Sequence, residues 1–167
     1  TYAASGNLTR LGDITDYAYP SGRNTYGVAD AGPHAVVTAD GIDYSYDDAG
    51  NMVEADDGGT TTTYTYDPRN QLSAIDLPGT TDDLVMVYDA DGMRVSRAEG
   101  DTTVHYIGDL YEVTWDGSTV TGTRTNYTFA ADHLAVRVDD GSTDTISYLF
   151  GDQIGSTSAA YTPAQNS

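Results

Sequence analysis

With 167 residues and a net charge of −19, set by 26 acidic residues against seven basic ones, the chain can bury a core but repels nucleic acid. It has no cysteine, which excludes a disulfide framework, a thiolate nucleophile and a Cys-type zinc site. Lys is also absent and Glu occurs only at positions 54, 99 and 112, so Asp carries the charge; such an acidic, threonine-rich composition fits an extracellular or cell-surface protein, and halophilic adaptation leaves a similar mark.

Taken in order, Thr1 to Pro20 reads as one degenerate hairpin ending in Tyr17-Ala-Tyr19-Pro20. Ser21 to Pro33 is rich in Gly, Asn and Ser and reads as a loop or linker over 21–33. From there short runs of β-branched and aromatic residues follow one another: His34 to Thr38, Ile42 to Tyr46, Thr61 to Tyr66, Leu84 to Tyr88 and Arg94 to Arg97. They continue through Thr102 to Ile107, Glu112 to Trp115, Thr119 to Phe129, Leu134 to Val138 and Thr145 to Phe150. Gly-containing breaks separate them at Ala39-Asp-Gly41, Asp57-Gly-Gly59, Glu99-Gly100-Asp, Asp116-Gly117-Ser and Asp139-Asp-Gly141-Ser. No stretch holds a helical period, so the fold class predicted is all-β, an antiparallel meander of hairpins. The chain starts and stops within this pattern and reads as one module, 1–167, cut as a window from a longer repeat protein, with any targeting signal absent or outside the window.

One pattern organises the series. Tyr46-Asp-Asp-Ala-Gly50-Asn-Met52 and Tyr66-Asp-Pro-Arg-Asn70-Gln-Leu72 state it twice, and Tyr88-Asp-Ala-Asp-Gly92-Met-Arg94 states it again. Asp47, Asp67 and Asp89 fit the first position of a turn, where the side chain bonds backbone amides ahead of it; Gly50, Asn70 and Gly92 fit the left-handed position that closes it. Tyr2-Ala-Ala-Ser-Gly6-Asn-Leu8 keeps the Gly and replaces the Asp by Ala3. Tyr46, Tyr66, Tyr88, Tyr106, Tyr127 and Tyr148 recur at intervals of about 20 residues, the range of a repeat array whose units bury their faces on neighbours.

These residues, with Gly32-Pro-His-Ala-Val36, Tyr106-Ile-Gly-Asp-Leu-Tyr-Glu-Val113 and Tyr148-Leu-Phe-Gly-Asp-Gln-Ile-Gly-Ser-Thr157, resemble the YD-repeat (Rhs-repeat) family from end to end, in the portion leading into its Rhs-repeat-associated core. The resemblance implies a β shell or spiral of hairpins, as in the toxin-enclosing cocoons of bacterial toxin complexes and in teneurins. It also implies a secreted or cell-surface structural protein, forming a shell or a filament. Adhesion to carbohydrate or a receptor, and encapsulation of a C-terminal toxin, are the alternatives. The autoproteolytic motif of the core region lies downstream of the Gly-Asp-x-x-Gly-Ser element and is not in this sequence, and Gln153 stands where many relatives have His. No catalytic residue is assigned.

Other chemistry is weaker. Adjacent carboxylates such as Asp56-Asp57 and Asp139-Asp140 point to opposite faces of a strand or out of a turn, so they do not predict a convergent acid–base pair. Asp89-Ala-Asp91 and Asp139 to Asp144 offer hard oxygens without a closing bidentate Glu, so calcium association is expected to be weak and no cofactor or metal ligand is assigned. The periodic tyrosines read as cross-strand packing, Trp115 beside Asp116-Gly117 as the aromatic expected at the surface. Asn7-Leu-Thr9 and Asn126-Tyr-Thr128 are N-glycosylation sequons. The expected partners are other YD repeats, in the same chain or a neighbouring subunit, through edge-strand pairing, with carbohydrate or a receptor as a further class.

Overall fold

The computed structural model describes residues 1–20, 32–81, 83–129, 132–152 and 156–164; most of the expected linker, residues 21–31, lies outside the described residues. Among the described residues there is no helix, and thirteen strands are hydrogen-bonded in chain order. The chain divides into two compact units, Thr1–Val85 and Met86–Ser167. The first contains β1 (Thr38–Ala39), β2 (Ile42–Tyr46), β3 (Met52–Asp57), β4 (Thr60–Tyr66) and β5 (Leu72–Asp76). β6 (Leu84–Tyr88) begins in the first unit and ends in the second. The second unit continues with β7 (Arg94–Glu99), β8 (Thr102–Ile107), β9 (Tyr111–Asp116), β10 (Thr119–Phe129), β11 (Asp132–Asp139), β12 (Asp144–Gly151) and β13 (Thr157–Tyr161).

Successive turns in a meander fall at alternate ends of the strands, and here the two ends use different chemistry. At one end Asp57 pairs directly with Thr60, leaving a two-residue loop of Gly58 (φ 58°) and Gly59 (φ 95°). Both positions need positive φ, and the mirror-image twist of such a turn matches that of the strands it joins. Glu99 pairs with Thr102 and Asp116 with Thr119 across equally short loops. At the other end lie the Asp-led turns, the first two of them beside register shifts, between Ser45 and Tyr46 and between Thr65 and Tyr66. Each of these bulges raises the local twist of the ladder.

Two expectations are corrected. Of the run His34 to Thr38 only Thr38 lies in a strand: Pro33 and His34 form a turn closed by Ala35 N–H to Gly32 C=O (2.9 Å), and backbone pairing begins at Val37, whose N–H donates to Ala18 C=O (2.9 Å) and whose C=O accepts from Tyr44 N–H (2.9 Å). His34 is taken up by that turn, whose second position Pro33 fits with its fixed φ, and this moves the strand start past it. Residues 1–20 form two tight turns, bridged Tyr2 to Leu8 and Leu11 to Ile14, rather than one hairpin.

Little of the sheet is sealed from water. Among the described residues only Ala39, Met86 and Ala135 are buried apolar residues, each still 7% exposed. In the first unit Tyr44, Ala55 and Thr62 are cross-strand partners, as are Tyr64 and Ile75, so β-alternation puts Tyr44, Tyr46, Tyr64 and Tyr66 on one half-buried face. Met86 lies on the same side of β6 as Leu84, the partner of Ile75. In the second unit Tyr127, Ala135, Tyr148 and Tyr161 form a row across four strands.

Candidate functional site

The three Asp-led turns repeat one set of hydrogen bonds. The Asp47 carboxylate accepts from Ala49 N–H (2.9 Å) and Asn51 N–H (2.8 Å), while Asp47 N–H donates to Asn51 C=O (2.9 Å) and Gly50 N–H to Asp47 C=O (3.0 Å). Asp67 takes Arg69 N–H (2.8 Å) and Gln71 N–H (2.9 Å), and Asp89 takes Asp91 N–H and Met93 N–H (both 2.9 Å), with matching backbone closures. Gly50, Asn70 and Gly92 have φ of 87°, 66° and 86°. Two further segments have the same closure. Ala3 N–H donates to Asn7 C=O (2.8 Å) with Gly6 at φ 86°, where Ser5 Oγ, at 3.4 Å from Asn7 N, takes the place of the missing carboxylate. Asp152 N–H donates to Ser156 C=O (2.8 Å) and its carboxylate accepts from Ser156 N–H (3.0 Å), although residues 153–155 lie outside the described residues. The Asp-x-x-Gly spacing at 152–155 was the signal for this last copy.

Neighbouring repeats are tied through these turns. Asn51 Nδ2 donates to Asp47 Oδ2 (2.9 Å) and, across to the next turn, to Asn70 Oδ1 (2.8 Å). Tyr66 hydroxyl donates to Met52 C=O (3.1 Å), Tyr46 hydroxyl to Val36 C=O (2.7 Å), and Tyr19 hydroxyl to Leu8 C=O (2.9 Å). Leu8 and Met52 hold the same place, five residues after Ala3 and Asp47, so Tyr19 and Tyr66 each cap the same carbonyl of the repeat before. The Asn51 amide, followed by backbone N–H groups, holds the Asp47 carboxyl below the usual carboxylate range. Burial first, then neighbouring Tyr44 and Tyr19 for Tyr46 and Asp47 and Tyr64 for Tyr66, pushes both phenols up, keeping them donors.

The other periodic tyrosines are placed differently. Arg94 lies over the Tyr106 ring, 4.7 Å from its centroid. Tyr106 pairs with Glu112, Glu112 with Arg124 and Arg124 with Val138, so Tyr106 lies on the face opposite Tyr127 and Tyr148. Tyr127 and Tyr148 are 44% and 47% exposed, whereas Trp115, expected at the surface, is half-buried on β9. The sequon amides are engaged: Asn7 Nδ2 donates to Pro33 C=O (3.1 Å) with His34 Nδ1 against its Oδ1, and Asn126 Nδ2 donates to Asp109 C=O (2.9 Å).

Among the described residues no three acidic or histidine side chains converge as metal ligands. Turn carboxylates bond their own backbones instead: Asp139 accepts from Gly141 N–H, and Asp140 from Ser142 N–H, Thr143 N–H and Thr143 hydroxyl. The arrangement as a whole clamps backbone; its recurrent polar groups all serve turn closure or repeat-to-repeat bonding. Residues 46–82, spanning two of the Asp-led turns, match the RHS Repeat family. No curated protein matches the chain.

Proposed function

From the premise that this chain is a YD/Rhs-repeat protein, whose repeats are structural, we propose that it forms part of a wall, a shell or fibre of a secreted or cell-surface protein, extended strand by strand. The observation that carries this reading is β13. Its five residues, Thr-Ser-Ala-Ala-Tyr, are uncharged and exposed, β12 occupies one side, and among the described residues no strand takes the other. Sheet edges left to face water are normally blunted with charge, proline or a covering loop. In a chain with 26 acidic residues, an edge strand carrying none is suited to accept another strand. A further YD repeat, from the same chain or a neighbouring subunit, is the partner this reading assigns. The exposed Tyr127, Tyr148 and Phe150 give such a wall one apolar face for a second layer or an enclosed cargo to cover. Among the described residues no helix is long and apolar enough to cross a membrane.

Electron microscopy of the protein from its native source tests this. Filaments with a regular axial repeat identify a fibre, hollow particles a shell, and either should be lost with Ala160→Lys, which puts a charge on the edge. Small discrete particles, or assemblies indifferent to that substitution, would sink the proposal.

A further inference from the structure

A groove of about 410 Å³ lies within the first unit, between the Ile14–Tyr17 segment, β1 and β2. Its volume falls within the range of small-molecule sites, roughly 300–1,000 Å³. Tyr17, Tyr44 and Tyr46 line it, with Ile42 and Met52 as further apolar wall and Asp40 supplying a carboxylate. The Tyr46 hydroxyl is tied to Val36 C=O (2.7 Å), which fixes one ring. The Asp40 backbone is fixed too: its N–H and that of Gly41 donate to the Asp16 carboxylate (2.8 and 2.9 Å), which brings a second negative charge to the Asp40–Gly41 turn. Among the described residues neither the Asp40 carboxylate nor the hydroxyls of Tyr17 and Tyr44 have a hydrogen-bond or ion-pair partner in the protein, and no Arg lines the groove.

Three aromatic walls and an unneutralised carboxylate have one chemical preference. Ring faces carry negative electrostatic potential, and a carboxylate beside them adds to it, so the groove rejects anions and favours a cation with apolar substituents. A bare metal ion is a poor fit, because one carboxylate and two phenols do not make the six to eight hard oxygen ligands that calcium takes. We propose that this groove binds a small alkylammonium ion, its substituents against Tyr17, Tyr44 and Tyr46 and its charge facing Asp40. The proposal is independent of wall formation, since it uses neither β13 nor the Asp-led turns.

Calorimetric titration of the full chain with choline, and with its uncharged isostere 3,3-dimethylbutan-1-ol, tests it at about 0.15 M salt, where diffuse attraction to the acidic surface is screened. Choline should bind saturably and the isostere at least about tenfold more weakly. Asp40→Asn should weaken choline by roughly threefold to thirtyfold with unchanged circular dichroism, because Asn accepts the φ of 55° held by Asp40. Tyr44→Phe, which keeps the ring face, should bind within about twofold of the parent, and Tyr44→Leu should lose binding. Equal binding of choline and its isostere, indifference to Asp40→Asn, or no saturable binding would overturn the site.

Discussion

At the scale of single residues, what recurs is a division of labour within each turn. The Asp carboxylate bonds two backbone N–H groups ahead of it, and a residue at positive φ lets the chain return. Gly50 shows the second requirement in isolation, because a Cβ added there would meet nothing within 4 Å while φ is 87°. Gly50→Val therefore tests backbone conformation without a clash. It should destabilise the protein by about 1–3 kcal/mol in denaturant unfolding; an unchanged midpoint would show that the left-handed position is not needed. Asn70 holds the same place at φ 66°, and its side-chain oxygen receives Asn51 Nδ2, a role that glycine cannot fill.

Elements are joined by the tyrosines that precede the first two Asp-led turns, Tyr46 and Tyr66. Tyr66→Phe removes a half-buried hydroxyl and leaves Met52 C=O without that donor, so it should cost about 0.5–1.5 kcal/mol. Tyr148→Phe, on a ring 47% exposed, should stay within about 0.5 kcal/mol; equal losses for the two would deny the repeat-to-repeat role. The all-β meander was legible in sequence because turn chemistry is local: an Asp, two residues and a Gly or Asn specify their own closure. The returning strands Met52–Asp57 and Leu72–Asp76 were legible only through their hairpin turns, being acidic or short of β-branched residues, and Thr157–Tyr161, built of small ones, was not legible. Their pairing partners, more than their own propensities, make them strands. The faces were illegible for a different reason. A spacing near 20 residues places a tyrosine on every repeat but does not choose its side, because the face depends on the register each strand takes with its neighbour. Arg124 is in register with Glu112 and through it with Tyr106, and Tyr127, an odd three residues further along β10, faces away. For the same reason Trp115 could not be placed from its neighbours Asp116 and Gly117.

For the molecule as a whole, acid acts on carboxylates in both units. Asp16, Asp47 and Asp140 are held below the usual carboxylate value of 3.8 chiefly by N–H donors, and Asp144 by the Arg137 guanidinium. A carboxyl whose pKa is lower folded than unfolded contributes stability above the unfolded value, and the contribution is lost as pH falls through the folded one. Relief of the −19 charge acts in the opposite direction as ordinary carboxylates protonate near pH 4. Below that pH the ordinary groups have little left to give and the turn carboxylates dominate. The melting temperature should hold between about pH 7 and 5 and fall below about pH 4, less steeply in Asp47→Asn. A Tm that rises steadily down to pH 2.5 would mean that charge repulsion outweighs the turns.

Strand order equal to chain order has a kinetic consequence. Each new strand within a unit finds its partner in the strand made just before it, across a loop of a few residues, so the ladders from β2 onward do not wait for distant segments. Contacts of such short sequence separation close quickly. The protein can thus be laid down from one end as it emerges from a ribosome or an export channel, with a single strand margin exposed at any moment and the next residues to arrive already suited to cover it.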